Sequence, residues 1–236
     1  PAGIRGTLEV LGIEYRENQS WNSLRPEYRE RIREEMCGRL EPRQRVRLVG
    51  EVYSFPDMPS KGGLRDAKEF ATVLNSCGRY DDAETGLRIC LGDPGALDIA
   101  ERNRNDHRKN ISVAMALVKE RDLVRDGRFI RWFDAGSDIR DTVVGIVAGM
   151  LCNTYGAPHM PMIAFADAED GTKVSARADR SLVDRGLDLS VIMGTASRMV
   201  GGMGGGHNVA AGATIPPSKK KEFLEIVEDL VCAQLD

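Results

Sequence analysis

Between Gly201 and Gly212 six glycines surround one histidine, His207, while the other glycines of the chain are scattered. A residue without Cβ reaches φ > 0 and lets a backbone approach another group closely, but ordering it costs more chain entropy than ordering any other residue. Concentrating that cost in one place implies that something must come near the main chain. The commonest such ligand is a phosphate, cradled by successive backbone N–H groups. A flexible linker is the alternative, yet linkers carry serine and polar filler, and here Val209, Ala210, Ala211 and Ile215 follow directly. The stretch is therefore expected to be a ligand loop. It is not a dinucleotide fingerprint, because Gly-x-Gly-x-x-Gly would need glycine where His207 stands.

The 236 residues suffice for one large domain or two small ones. The 33 basic side chains are outweighed by 36 acidic ones, so any anion site must be a local patch rather than a property of the whole surface. Five cysteines (Cys37, Cys77, Cys90, Cys152 and Cys232), odd in number and without a Cys-x-x-Cys pair, argue against a disulfide framework or a zinc site and fit reduced thiols in a cytoplasmic protein. The longest apolar run, Val143 to Cys152, is too short to span a bilayer. No signal peptide opens the chain, which begins at Pro1 without an initiator methionine and reads as a fragment of something longer.

Along the chain, an apolar segment from Thr7 to Ile13 precedes a helix expected from Pro26, with Tyr28, Ile32 and Met36 on one face and Gly38 at its end. Val46 to Tyr53 alternates like a strand, beside the basic run Arg39, Arg43, Arg45 and Arg47. A breaker-rich connection, Pro56 to Gly63, leads to a helix carrying Ala67, Phe70, Ala71 and Leu74 with Gly78 as its C′ residue. Pro94 opens a long helix to about Arg121; its polar middle, Glu101 to Lys109, reads as a solvent-facing spacer and His107 as a surface histidine. Beyond Asp122 strands and helices interleave. Strands are expected over 128–133, 162–166 and 172–178, helices over 139–152, 188–200 and 218–235, and a further strand ends at Pro216. The fold class is thus α/β, a mixed sheet covered by helices over residues 122–236, preceded by a largely helical connecting region over residues 1–121. The helix through Val143–Gly149 is apolar all round and must be buried, with Gly145 and Gly149 permitting close approach to a neighbour.

Three short segments can carry chemistry beside the glycines. In Lys173–Asp179 a period of two puts Val174, Ala176 and Ala178 on one face and Ser175, Arg177 and Asp179 on the other. A hydroxyl beside a guanidinium fork suits phosphate oxygens; an Arg177–Asp179 surface pair is the competing reading. Asn75 and Arg79 stand at a helix end, either as a binding pair or as a cap and an exposed arginine. His207 either donates to a phosphate or is satisfied in a core. Metal-assisted phosphoryl chemistry needs clustered carboxylates and histidines. Only His107, His159 and His207 exist and no Asp-His-His block occurs, so no metal site is expected in the chain.

Taken together these residues resemble one family. Gly204-Gly205-Gly206-His207-Asn208-Val209-Ala210-Ala211-Gly212 is similar to the Gly-Gly-His-x-x-Ala-Ala-Gly signature of the DHH-associated domain, found in RecJ-type single-strand exonucleases, nano-RNases, cyclic-dinucleotide phosphodiesterases and, in variant form, alanyl-tRNA synthetases. Val143-Val144-Gly145-Ile146-Val147-Ala148, Ser175-Ala176-Arg177 and Leu74-Asn75-Ser76-Cys77-Gly78-Arg79 resemble RecJ segments, and Arg65–Ala71 resembles the archaeal branch. The likeness covers residues 60–236 well and 1–60 loosely. It departs at Asp138-Ile139-Arg140-Asp141, where bacterial members carry Trp-His.

The resemblance implies that Arg79, with Asn75, Ser175 and Arg177, binds a 5′ phosphate, and that Gly204, Gly205, Gly206 and His207 close over the substrate. It implies a Mn²⁺ or Mg²⁺ phosphodiesterase whose metal ligands lie on a DHH domain, with this chain as the part that positions single-stranded nucleic acid. A small-substrate phosphodiesterase, or a non-catalytic binding module of a replication complex associated with GINS-type proteins, are the alternatives.

Overall fold

The computed structural model describes residues 4–14, 20–48, 50–58, 64–154 and 160–235. The chain divides into two units, 1–56 and 57–236. The first contains α1 (Ile4–Val10), α2 (Pro26–Gly38) and α3 (Pro42–Leu48). Proline at the first position of α2 supplies a preset φ where the missing N–H is not needed. The expected strand over 46–53 is not there. Val46 and Leu48 belong to α3, and 51–53 form no regular element. Pro42 starts that helix as Pro26 starts α2, and four residues of apparent alternation are too few to outweigh it. Val49 and residues 59–63 of the breaker-rich connection lie outside the described residues.

The second unit starts with three helices, α4 (Ala67–Arg79), α5 (Ala83–Cys90) and α6 (Gly95–Glu120). Asp66 caps α4 by accepting from the Lys68 and Glu69 N–H groups. Gly78 lies inside α4, not beyond it, and Tyr80 is the C-cap. Leu64, Val73, Cys77, Ile89, Ala96 and Ala100 form the small core between these helices. At 26 residues α6 is about 39 Å long. Its first turns complete that core, and Ala114 and Val118 near its end join the core beneath the sheet.

The middle of α6 is solvated on one side only: Arg102, Asn105, Asp106, Arg108 and Lys109 are exposed, and the other side makes polar contacts. Asn103 Nδ2 donates to Asp82 Oδ2 at 2.6 Å, and Arg104 pairs with Glu69 and Glu101. His107 is buried at 7% exposure with its Nδ1 3.3 Å from the Tyr80 hydroxyl. The surface reading of His107 fails because this contact is polar on both sides and leaves no apolar stripe to be read.

The sheet has six strands in the order β1-β2-β3-β4-β6-β5: β1 (Arg125–Asp126), β2 (Arg131–Asp134), β3 (Met162–Ala168), β4 (Gly171–Arg177), β5 (Met203–His207) and β6 (Ala210–Ile215). Only β2 and β3 run parallel, joined by α7 (Asp141–Thr154); the other pairs are antiparallel. The sheet is therefore mixed, as its strand–helix interleaving predicts. Strand alternation assigns the two faces. Ile163, Phe165, Val174, Ala176, Ala211, Ala213 and Ile215 pack toward α9 (Leu189–Met199) and α10 (Lys220–Leu235), with the short α8 (Arg180–Asp184) alongside. Met162, Ala164 and Ala166 face α7 and the end of α6. The loop before β2 is held from α10, where the Glu228 carboxylate accepts from the backbone N–H groups of Arg128 at 2.9 Å and Phe129 at 2.7 Å.

The glycine run is the largest correction. Gly204, Gly205 and Gly206 are not a loop but the body of β5, the edge strand. A Cβ on Gly204 would lie 2.7 Å from Met193 O and 2.8 Å from Ser197 Oγ, so much of the glycine content lets the strand lie directly on α9. Gly206 has φ +142° and stands over Ala211 with no room for a side chain.

Candidate functional site

Of the two faces of β4, Ser175 and Arg177 occupy the one under α7. On that helix Thr142, Gly145 and Gly149 recur at i, i+3 and i+7 and share one side. A Cβ on Gly145 would stand 2.7 Å from Arg177 Nη2 and 3.0 Å from Ser175 Oγ, so both groups converge on its bare Cα. The stem of Arg177 continues past Gly149, whose Cβ would meet its Cγ at 3.8 Å. Ser175 is buried and Arg177 half-buried. Arg177 Nη1 donates to Ala176 O at 2.8 Å, and Asp179 caps α8 through Ser181 N instead of forming a pair with Arg177.

Arg79 reaches the same strip of α7 from the other layer. Its Nη1 donates to Thr142 O at 2.7 Å, and Thr142 Oγ1 donates to Arg79 O at 3.1 Å. Burial and the neighbouring Arg79 charge both hold the Arg177 pKa below the ordinary guanidinium value. Burial, and then the same Arg79 charge, lower that of His107. Arg140 adds a third guanidinium, 5.4 Å over the Tyr80 ring. Among the described residues neither Arg79 nor Arg177 has a carboxylate in ion-pair range. Two guanidiniums at one strip of α7, the charge of Arg79 disfavouring that of Arg177, with no carboxylate in ion-pair range among the described residues, form a place where an external anion is stabilised.

The sheet register extends this site toward the glycines. Arg177 pairs with Ala210 and Ala210 with His207; Ser175 pairs with Gly212 and Gly212 with Gly205. Directly paired residues project to the same face, so exposed His207 stands on the Arg177 face two strands away, about 10 Å between Cα atoms. Only Ala210, Gly212 and Gly205 lie between, giving a floor almost without side chains. The turn beyond His207 is anchored, since Asn208 O accepts from Leu189 N at 3.1 Å and Val209 O from Ala178 N at 3.0 Å. The next row, Lys173, Thr214 and Met203, lines a groove of about 940 Å³ that includes Gly205 and Gly212 but neither Arg177 nor His207. Asn75 is exposed one turn before Arg79, and no hydrogen bond joins it to Ser175 or Arg177.

The structure thus brings Arg79, Ser175 and Arg177 together, with His207 and Gly205 farther along the same face. Thr142, Arg140 and Lys173 were not singled out from the sequence. Lys173 shares the strand period with Ser175, a signal that was available; nothing local marks the other two. Among the described residues no group of three His, Cys, Asp or Glu side chains has the geometry to hold a metal ion, and no helix is long and apolar enough to cross a membrane.

Residues 123–232 match the DHHA1 domain family. An uncharacterised protein of Methanocaldococcus jannaschii is 34% identical over 172 residues, 73% of this chain and 37% of that protein. The single-stranded-DNA-specific exonuclease RecJ of Escherichia coli is 29% identical over 69% of this chain and 29% of its own length. The chain therefore spans about a third of the curated relatives it matches. Among solved structures, RecJ of Thermus thermophilus in complex with Mn²⁺ superposes with a TM-score of 0.55 at 18% identity, covering 71% of this chain and 24% of that one. A second manganese-bound RecJ exonuclease gives 0.53 at 20% identity, covering 70% and 40%. These two share the fold described above.

Proposed function

Because the chain belongs to the RecJ-like branch of the DHH superfamily and carries its DHHA1 domain, we propose that it binds the phosphate-bearing end of single-stranded nucleic acid and presents the strand to a phosphodiesterase centre. The observation that carries this reading is the meeting of Arg79, Arg177 and Ser175 Oγ at one strip of α7 without a carboxylate partner for either arginine among the described residues. A terminal phosphomonoester has more charge and more free oxygens than an internal diester, and suits two guanidiniums and a hydroxyl. The strand would leave the site over the side-chain-poor floor toward His207, where nothing bulky obstructs a sugar–phosphate backbone.

Among the described residues no group of three His, Cys, Asp or Glu side chains could hold a metal ion; in this reading the hydrolytic centre of the intact protein lies on the family's DHH domain with Mn²⁺ or Mg²⁺, the ions in the Thermus RecJ complexes. The long helix α6 favours this reading over a small-substrate phosphodiesterase, whose members are more compact. The test is the affinity of the full chain for a 5′-phosphorylated and a 5′-hydroxyl oligodeoxynucleotide, compared between wild type and Arg177→Ala. A preference for the phosphorylated end that disappears in the variant is expected. Each phosphate contact should also contribute a salt slope of about 0.7. Equal affinity of the wild type for both ends overturns the reading.

A further inference from the structure

We propose that Gly145 sets where the Arg177 guanidinium and the Ser175 hydroxyl stand, and so governs the end selectivity of the anion site, while Gly149, one turn later on the same side of α7, has no such role. The inference rests on the phosphate reading above. Both glycines lie in the interior of a helix and neither has a positive φ, so the backbone at each accepts alanine. What differs is the neighbour. The atoms nearest a Cβ at position 149 would be Arg177 Cγ, Cδ and Nε, at 3.8 to 3.9 Å, which is ordinary contact. A Cβ at position 145 would press on Arg177 Nη2 at 2.7 Å and Ser175 Oγ at 3.0 Å, the two atoms that would face a phosphate.

The chemistry of those two atoms decides what gives way. Ser175 is fixed on a central strand, paired on both sides, so its backbone cannot retreat. Nη2 is the free end of a long side chain and can move. A carbon and a nitrogen settle at about 3.5 Å, so the guanidinium must withdraw by on the order of an ångström and the hydroxyl must turn. The fold survives such a move; a planar donor fork aimed at fixed oxygens does not. Alanine at 145 should therefore leave a folded protein that has lost its distinction between a phosphate and a hydroxyl end.

The test uses the full 236-residue chain and the same pair of 5′-phosphorylated and 5′-hydroxyl oligonucleotides. Wild type and Gly149→Ala should show the same preference, whereas Gly145→Ala should lose on the order of tenfold or more of it, the worth of a charge-assisted bond. A Gly145→Ala protein that keeps the wild-type preference overturns the inference and leaves the phosphate reading standing; a wild type without preference overturns the phosphate reading itself. Melting temperatures keep the idea testable if Gly145→Ala folds poorly. In an Arg177→Ala background the main clash is gone, so adding Gly145→Ala should cost little or no further stability. A double variant that unfolds as Gly145→Ala does would show that Arg177 is not what Gly145 accommodates.

Discussion

Arg79 and Thr142 are 63 positions apart and hold each other by two hydrogen bonds, guanidinium to carbonyl in one direction and hydroxyl to carbonyl in the other. The pair fastens the last turn of α4 to the first turn of α7. The carbonyls at the C-terminal end of a helix lack intrahelical donors, and Thr142 Oγ1 supplies one to Arg79 O, while Thr142 O, in the first turn of α7, accepts from the Arg79 guanidinium. The same tie brings the Arg79 charge within the field of Arg177 and His107.

Replacing Thr142 with valine keeps the shape and removes the hydroxyl that serves Arg79 O. A loss of about 0.5–1.5 kcal/mol in unfolding free energy is expected, the net worth of one such bond. Urea denaturation with an unchanged slope and a lower midpoint would register it; an unchanged midpoint would mean that water replaces the hydroxyl at no cost.

His107 predicts an acid limb in stability. Its pKa in the folded chain lies below the ordinary 6.5, chiefly because it is buried and secondly because Arg79 is near. Between the two values the unfolded chain binds more protons than the folded one, so stability rises with pH there. The contribution is complete above about pH 6.5 and is lost as pH falls through the depressed folded value. His107→Gln, which keeps a polar partner for the Tyr80 hydroxyl, should flatten the fall in denaturation midpoint between pH 7 and pH 5. An equally steep fall in the variant would assign the acid limb to other groups.

What was legible in the chain follows the presence of side chains that report their surroundings. Val174 and Ala176 against Ser175 and Arg177 fixed the two faces of β4, and that period alone put the hydroxyl and the guanidinium together. In β5 there was nothing to alternate: Gly204, Gly205 and Gly206 form a strand through pairing with β6 and contact with α9, and neither leaves a trace in residue type. The middle of α6 was hidden for the opposite reason, since Asn103 and His107 face inward onto polar partners and a polar interface has no hydrophobic period. The close approach expected at Gly145 and Gly149 was correct, but that the neighbour is the Arg177 side chain required the fold.

The packing reason for the β5 glycines gives a separate prediction. A methyl group on Gly204 would meet Met193 O, Ser197 Oγ and Ala213 Cβ, all within 3 Å. These belong to a helix and a strand that cannot yield as a side chain can. Gly204→Ala should therefore destabilise the chain by about 1–3 kcal/mol, the usual cost of overpacking. Thermal unfolding would show it. A melting temperature equal to wild type would mean that β5 shifts freely at the edge of the sheet.

Arg177→Lys tests whether the site needs a fork or only a positive charge. Lysine retains a formal charge but offers a compact ammonium on a flexible stem, without the planar pair of donors that matches two phosphate oxygens. It would also inherit the surroundings that lower the arginine's pKa, namely burial and then the Arg79 charge. An arginine starts so high that such a shift leaves it charged; a lysine starts at about 10.4 and is brought closer to neutrality. The substitution should thus resemble Arg177→Ala in losing the preference for a 5′-phosphorylated end. Binding isotherms with the 5′-phosphorylated and 5′-hydroxyl oligonucleotides measure this. A lysine variant with wild-type preference would show that the site reads charge alone, and that the guanidinium geometry at Gly145 is incidental to recognition.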